Sequence, residues 1–257
     1  MTTLSSTTTF YNIETMEDFK TMKKSTVAYL FIALSLLVLS TFETLGGELT
    51  DEFNSPKLNE ELWVIKKVRD ASYKIKEGKL ILSSPKVSDG IILYYKEEVS
   101  KPGFSFEAKL DSSGIANSGY VTTMKTMTPP EASNVYNPLR LGQFRLKPTA
   151  WRVRDENIQT VLDGNVTPGM HAYKIELDKN TLKFYFDGKQ VAEIPRVVEK
   201  RFFSVSPDPY ADDYSGELVI EYIKIAAPWI QASVSTSGKL ASIWGGIKSC
   251  QRISITD

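Results

Sequence analysis

The stretch His171–Val191, HAYKIELDKNTLKFYFDGKQV, decides how the rest of the chain is read. Tyr173, Ile175 and Leu177 alternate with Ala172, Lys174 and Glu176, and Leu182, Phe184 and Phe186 alternate with Lys183, Tyr185 and Asp187. Successive side chains of a strand point to opposite faces, so a period of two marks a strand with one apolar and one wet face. Asp178, Lys179 and Asn180 separate the two runs and predict a hairpin turn. Asp187-Gly188 predicts another, because this pair readily takes the positive φ angles of a tight hairpin. Outward from here the same alternation appears in Phe104, Phe106, Ala108 and Leu110, set between Ser105, Glu107 and Lys109. Further strands are expected at Leu62–Val68, Lys79–Ser83, Gly90–Tyr95, Gly119–Lys125, Leu139–Leu146, Trp151–Arg154 and Glu217–Ile225. No part of Glu48–Ala226 sustains a helical period. The expected fold is all-β, a two-sheet antiparallel jelly-roll sandwich, since broad half-apolar sheets make a core only by facing one another.

The quoted stretch also resembles the strand pair of glycoside hydrolase family 16 and its concanavalin A-like lectin/glucanase relatives, where a His-x-Tyr … Phe-Tyr-x-Asp-Gly-Lys pattern is usual. Asp51-Glu52-Phe53-Asn54, followed by Leu58, Trp63 and Gly78–Ser83, resembles the opening strands of that group, and Leu218–Ile225 its closing strand. The resemblance spans most of Glu48–Ala226 and implies a concanavalin A-like sandwich. It further implies that catalysis, where present, resides in a strand reading Glu-x-Asp-x-Glu, whose spacing puts three carboxylates on the concave face. This chain has no such strand. Between Ser112 and Arg154 the sole carboxylate is Glu131, beside Pro129-Pro130. Acids four residues apart occur at Glu107/Asp111 and Glu217/Glu221, about 13 Å apart along a strand at ~3.3 Å per residue. A retaining pair needs ~5–5.5 Å and an inverting pair ~6.5–9.5 Å. Asp111 is too short to close the gap, and Val219 stands between the two glutamates.

In place of acids the Ser112–Arg154 interval carries six basic residues, Lys125, Arg140, Arg145, Lys147, Arg152 and Arg154, interleaved with aromatics and amides. If the strands of this interval line the concave sheet, the groove is basic and aromatic. Guanidinium forks suit carboxylate or sulfate, and flat rings suit the C–H face of a sugar. The expected ligand-binding residues are Tyr120, Tyr136, Arg140, Gln143, Arg145, Trp151 and Arg152, with a carbohydrate partner, an anionic polysaccharide included. In the competing reading alternate members point to opposite faces, with Phe144 and Trp151 in the core. The functional expectation is an exported, non-catalytic, lectin-like carbohydrate-binding module. One alternative is a glycoside hydrolase or polysaccharide lyase with an atypical site. Gln143-Phe144-Arg145 resembles faintly the Gln-x-His of one lyase group, with Tyr120 or Tyr136 as base, although a phenol normally titrates near ~10. Another is an envelope interaction module that binds no sugar. His171 is expected to be structural. No cofactor is expected, with a structural calcium at Asp208, Asp212, Asp213 and Glu221 as the alternative, on the ground that calcium uses hard oxygen donors. Asn165-Val166-Thr167 matches a glycosylation acceptor.

The ends differ from the middle. Val27–Leu39, VAYLFIALSLLVL, comes directly after a segment holding Lys23 and Lys24. Its length suits a signal peptide better than a span of about 20 residues, and the flanking charge favours export of the downstream chain in either case. Three parts are expected: 1–47, a polar leader with a signal peptide or membrane anchor; 48–227, the sandwich; and 228–257, a tail in which Leu240, Ile243, Trp244 and Ile247 form a short amphipathic helical stripe. Membrane contact is expected only through the N-terminal segment. The 257 residues carry 31 basic and 31 acidic side chains, one His and one Cys. That balance argues against nucleic-acid binding, and the single Cys excludes a disulfide framework.

Overall fold

The computed structural model describes residues 47–116, 118–130, 137–208 and 215–230. The expected N-terminal segment and the C-terminal helix therefore lie outside the described residues, as do Tyr136, Asp212 and Asp213. The regular structure of the described residues belongs to the unit Gly46–Asp257. It comprises β1 (Gly47–Asp51), β2 (Trp63–Val68), β3 (Ser72–Lys76), β4 (Lys79–Ser84), β5 (Gly90–Tyr95), β6 (Phe104–Asp111), β7 (Gly119–Met124) and β8 (Arg140–Lys147), continuing with β9 (Ala150–Arg154), β10 (Thr160–Asn165), β11 (Met170–Leu177), β12 (Thr181–Phe186), β13 (Lys189–Pro195), β14 (Phe202–Asp208) and β15 (Gly216–Ala227). A 3-10 turn, Asn137–Leu139, precedes β8.

The strands form two antiparallel sheets. Sheet A has eight strands in the order β13-β12-β11-β6-β15-β4-β3, with β1 also paired to β15. Sheet B has seven, in the order β10-β9-β8-β7-β14-β5-β2. This is the expected all-β sandwich. The core lies between the sheets and is built from the alternating apolar residues of the strands: Phe104, Phe106, Tyr173, Ile175, Leu182 and Phe184 from sheet A meet Leu93, Val121, Phe144, Val153, Phe203 and Val205 from sheet B. Phe203 stacks on Phe106 at 5.6 Å and lies 4.8 Å from Phe104. Burying each such side chain contributes about 1.5–3 kcal/mol.

Local chemistry fixes the turns. Asp187 and Gly188 both have positive φ, 47° and 78°, which matches the right-handed twist of the β12–β13 hairpin. Between β11 and β12 the Asp178 amide donates to Thr181 O, and Lys183 Nζ donates to the Asp178 carboxylate at 2.6 Å. The Asp51-Glu-Phe-Asn segment has a physical role as well. Asp51 accepts from the Phe53 amide at 2.9 Å and from the buried Trp63 indole at 2.7 Å, joining the end of β1 to the start of β2.

Candidate functional site

Register decides which side chains share the outer face of sheet B. Tyr120 on β7 lies opposite Arg145 on β8, which lies opposite Arg152 on β9, which lies opposite Asp163 on β10. Gln143 stands between Thr122 and Arg154 in the same way. Their sequence neighbours Val121, Phe144, Leu146 and Val153 belong to the core, so this set faces away from it. The Arg140 guanidinium sits 4.9 Å over the Tyr120 ring, and its Nη1 donates to Gln143 Oε1 at 3.1 Å. Tyr120, Arg140, Gln143, Arg145 and Arg152 are therefore brought together on one face. Trp151 is not: its ring packs against Phe144 and Phe186, at 5.9 and 5.5 Å, on the core side. The ring covers Gly164, its cross-strand neighbour, on that same side.

This face divides into two halves. From β7 to β2 it is covered, with Thr122, Ser204 and Ser206 buried among apolar side chains. Tyr120, Met124, Ile92 and Tyr94 form a second buried cluster, with Val64, Phe202, Met127 and Leu139 packed against it. Met127 and Leu139 belong to the connection between β7 and β8, whose base is closed by Lys125 N donating to Leu139 O. The Tyr94 hydroxyl donates to Thr128 O at 3.1 Å, tying that connection across the sheet to β5. Burial pushes the Tyr94 phenol above its ordinary value. From β8 to β10 the face is open and basic. Arg145, Lys147, Arg152 and Arg154 are each half-buried there.

A cavity of about 280 Å³ lies in the open half, lined by Arg145, Lys147, Arg152, Asp163 and Asn165, among others. Arg145 Nε donates to Ser118 Oγ at 2.6 Å, which orients its guanidinium. Arg152 reaches Asp163 at 3.5 Å. The Arg154 guanidinium is held below its ordinary value, first by desolvation and then by repulsion from Arg145, with Arg140 and Arg152 adding to it. Its Nε is buried with no hydrogen-bond partner among the described residues. Four guanidinium groups thus act on one another within a small area. On β7, β8 and β9 there is no carboxylate at all.

The acids considered for hydrolysis lie elsewhere. Glu107, Asp111, Glu217 and Glu221 are on β6 and β15, strands of sheet A. Glu107 accepts from the Tyr222 hydroxyl at 2.8 Å, and Glu221 accepts from Lys109 at 3.2 Å. A bulge between Ile220 and Tyr222 also breaks the simple spacing of Glu217 and Glu221. Among the described residues no group of three or more acidic, His or Cys side chains could hold a metal ion. Of the proposed calcium ligands, Glu221 is engaged by Lys109; Asp212, Asp213 and the side chain of Asp208 lie outside the described set. His171 pairs with Asp187 at 2.7 Å through Nδ1, places Nε2 3.0 Å from Thr167 O, and stacks on Phe186. It ties the β12–β13 turn to the β10–β11 loop.

Lys147, Arg154, Asp163 and Asn165 were not among the expected ligand residues. Lys147 and Arg154 lie two positions from Arg145 and Arg152, so period-two spacing alone puts them on the same face. Asp163 and Asn165 belong to β10, an exposed edge strand without alternation.

No protein-family model and no curated protein matches the chain. Solved structures do. The exoplasmic/lumenal domain of VIP36, in its Ca2+/Man3GlcNAc-bound form, matches with a TM-score of 0.50 and 8% identity, covering 69% of this chain and 88% of that one. The fold is concanavalin A-like. Within the same concanavalin A-like group, the endo-β-1,3-glucanase of Pyrococcus furiosus matches at TM-score 0.49 and 13% identity, covering 70% of this chain and 93% of its own. The laminarinase of Flavobacterium sp. UMI-01 matches at 0.46 and 16%, covering 69% and 98%. The two-sheet concanavalin A-like sandwich expected from His171–Val191 is thus found at the level of fold.

Proposed function

We propose that the chain is an exported, non-catalytic carbohydrate-binding module whose ligand is an acidic glycan held on the outer face of sheet B. One observation carries this reading: the half-buried Arg145, Lys147, Arg152 and Arg154 lie together on the outer side of β8 and β9, while β7, β8 and β9 carry no carboxylate. Glycosidic hydrolysis needs two carboxyl groups flanking the bond, and among the described side chains of β7 to β10 only Asp163, on the edge strand β10, is a carboxylate. Arginine and amide groups instead supply donors matched to carboxylate or sulfate. The Man3GlcNAc bound by the structurally similar VIP36 domain supports a sugar as ligand. Export is supported by the apolar run Val27–Leu39 behind Lys23 and Lys24.

The test is to screen the full chain on a panel of neutral, sulfated and uronate-bearing oligosaccharides. The same sugars are then incubated with it while reducing ends and unsaturated-uronate absorbance are followed. Binding to acidic members, without turnover and undiminished by a chelator, is the expected result. Absence of binding to every sugar by the folded chain, or turnover of any of them, would overturn the reading.

A further inference from the structure

We infer that the cavity between β8, β9 and β10 is a subsite for a single oxyanion borne on a sugar, a sulfate ester or a uronate carboxylate, and that the glycan is held at this end of sheet B rather than along its whole width. The inference rests on the glycan-binding reading and adds where the ligand sits and which of its groups is recognised.

Charge comes first. Three cations, Arg145, Lys147 and Arg152, line the cavity against one carboxylate, Asp163. Lys147 and Arg154 have no carboxylate partner among the described residues, and the Arg152–Asp163 contact is long at 3.5 Å. A ligand oxygen can compete for that guanidinium without breaking a short bond. Arg154, on the next outward position of β9, is held below its ordinary value by desolvation and by its neighbours' positive charge. An anion placed among these groups relieves that repulsion, so the site is electrostatically prepared for one.

Shape comes second. A volume of about 280 Å³ is at the lower edge of the ~300–1,000 Å³ of small-molecule sites, room for one sugar unit and its substituent rather than a chain. Asn165 adds an amide beside the cations. The other half of the face offers no continuation. Ile92 and Tyr94 are 0% exposed and Tyr120 is 1% exposed, and the Thr128 bond to Tyr94 holds the β7–β8 connection over them. A polysaccharide cannot lie across these strands, so its contact is confined to the open basic end.

The experiment is isothermal titration of the full chain with matched pairs of oligosaccharides. Each sulfated or uronate-bearing member is set beside its desulfated or carboxyl-reduced counterpart, with sodium sulfate alone as a further probe. The charged members are expected to bind at least about tenfold more tightly than their counterparts. Lys147→Gln and Arg152→Gln should each remove about tenfold from the charged members while leaving the neutral ones unchanged. Asp163→Asn should strengthen binding of the charged members, a gain that a folding defect cannot produce. Preference for the sulfated or the carboxylated series identifies the oxyanion, and either supports the inference. Equal binding within each pair, or variants without effect, overturns the subsite while the glycan reading stands. Sodium sulfate binding as tightly as the sugar sulfates reduces it to a bare anion site and overturns the sugar. Failure of every sugar overturns both readings.

Discussion

Two arginines on neighbouring strands do different work. Arg140 is 3% exposed, sandwiched between the Tyr120 ring and Gln143. Replacing it with Met removes a desolvated cation–π contact and leaves Gln143 Oε1 without this donor, so unfolding free energy should fall by about 2 kcal/mol or more in denaturant titration. Arg152 is half-buried at the cavity, and Arg152→Gln should leave stability within about 0.5 kcal/mol. An equal loss in both variants would contradict this division. Tyr94 gives a pH signature. Its phenol is raised above the ordinary value by burial, so the folded state keeps a proton that the unfolded chain loses above about pH 10. Stability from this group is complete below that pH and declines above it. Tyr94→Phe should therefore flatten the alkaline limb of the stability–pH curve; an unchanged limb would show that Tyr94 does not govern it. At this scale the sequence is half legible. The basic residues are visible in it, but only burial distinguishes Arg140, locked in place, from Arg152, reachable by a ligand.

At the scale of the element, strands with clean alternation are legible in the sequence and those without it are not. Lys79–Ser84, Gly90–Tyr95, Phe104–Asp111 and Thr181–Phe186 fall where the spacing puts them. Of the strands that the spacing misses, β3, β10 and β13 are edges of their sheets. An edge strand buries little and carries lysines or other polar residues, which protect it from pairing with other chains and erase the period-two signal. β10 shows the consequence for the site, since it brings Asp163 and Asn165 to the cavity. Its Gly164 lies opposite Trp151, and a Cβ there would fall 2.5 Å from the Trp151 ring. The indole covers the glycine, as aromatic side chains do across strand pairs. Gly164→Ala should displace that ring, cost about 1–3 kcal/mol, and alter Trp151 fluorescence. Unchanged fluorescence and stability would show that the ring is not held there. The cover formed by the β7–β8 connection is not legible either, since Met127 and Leu139 have no periodic context. Its anchoring to Tyr94 is a tertiary contact.

Over the whole molecule, the two outer faces differ in charge design. On sheet A, Lys109 pairs with Glu221, Lys174 with Glu176, Lys183 with Asp178 and Lys224 with Glu48. Cations and acids on that face neutralise one another. On sheet B, β8 and β9 hold arginines without acids. The formal net charge of +0 is the sum of these unlike surfaces, and it hides the one that matters. Covering of half of sheet B also predicts how affinity depends on ligand length. Beyond the few sugars that the open end can touch, a longer acidic chain should bind no more tightly per binding unit, and affinity should fall with salt as expected for exposed charge. A steady rise with length would indicate a groove crossing all seven strands. The most direct measurement of the central claim is the two-dimensional NMR spectrum of the arginine Nε–Hε groups as an acidic oligosaccharide is added. Shifts at Arg145, Arg152 and Arg154, with Arg196 and Arg201 unmoved, are predicted. Shifts confined to arginines away from β8 and β9, or none while the sugar binds, would contradict it.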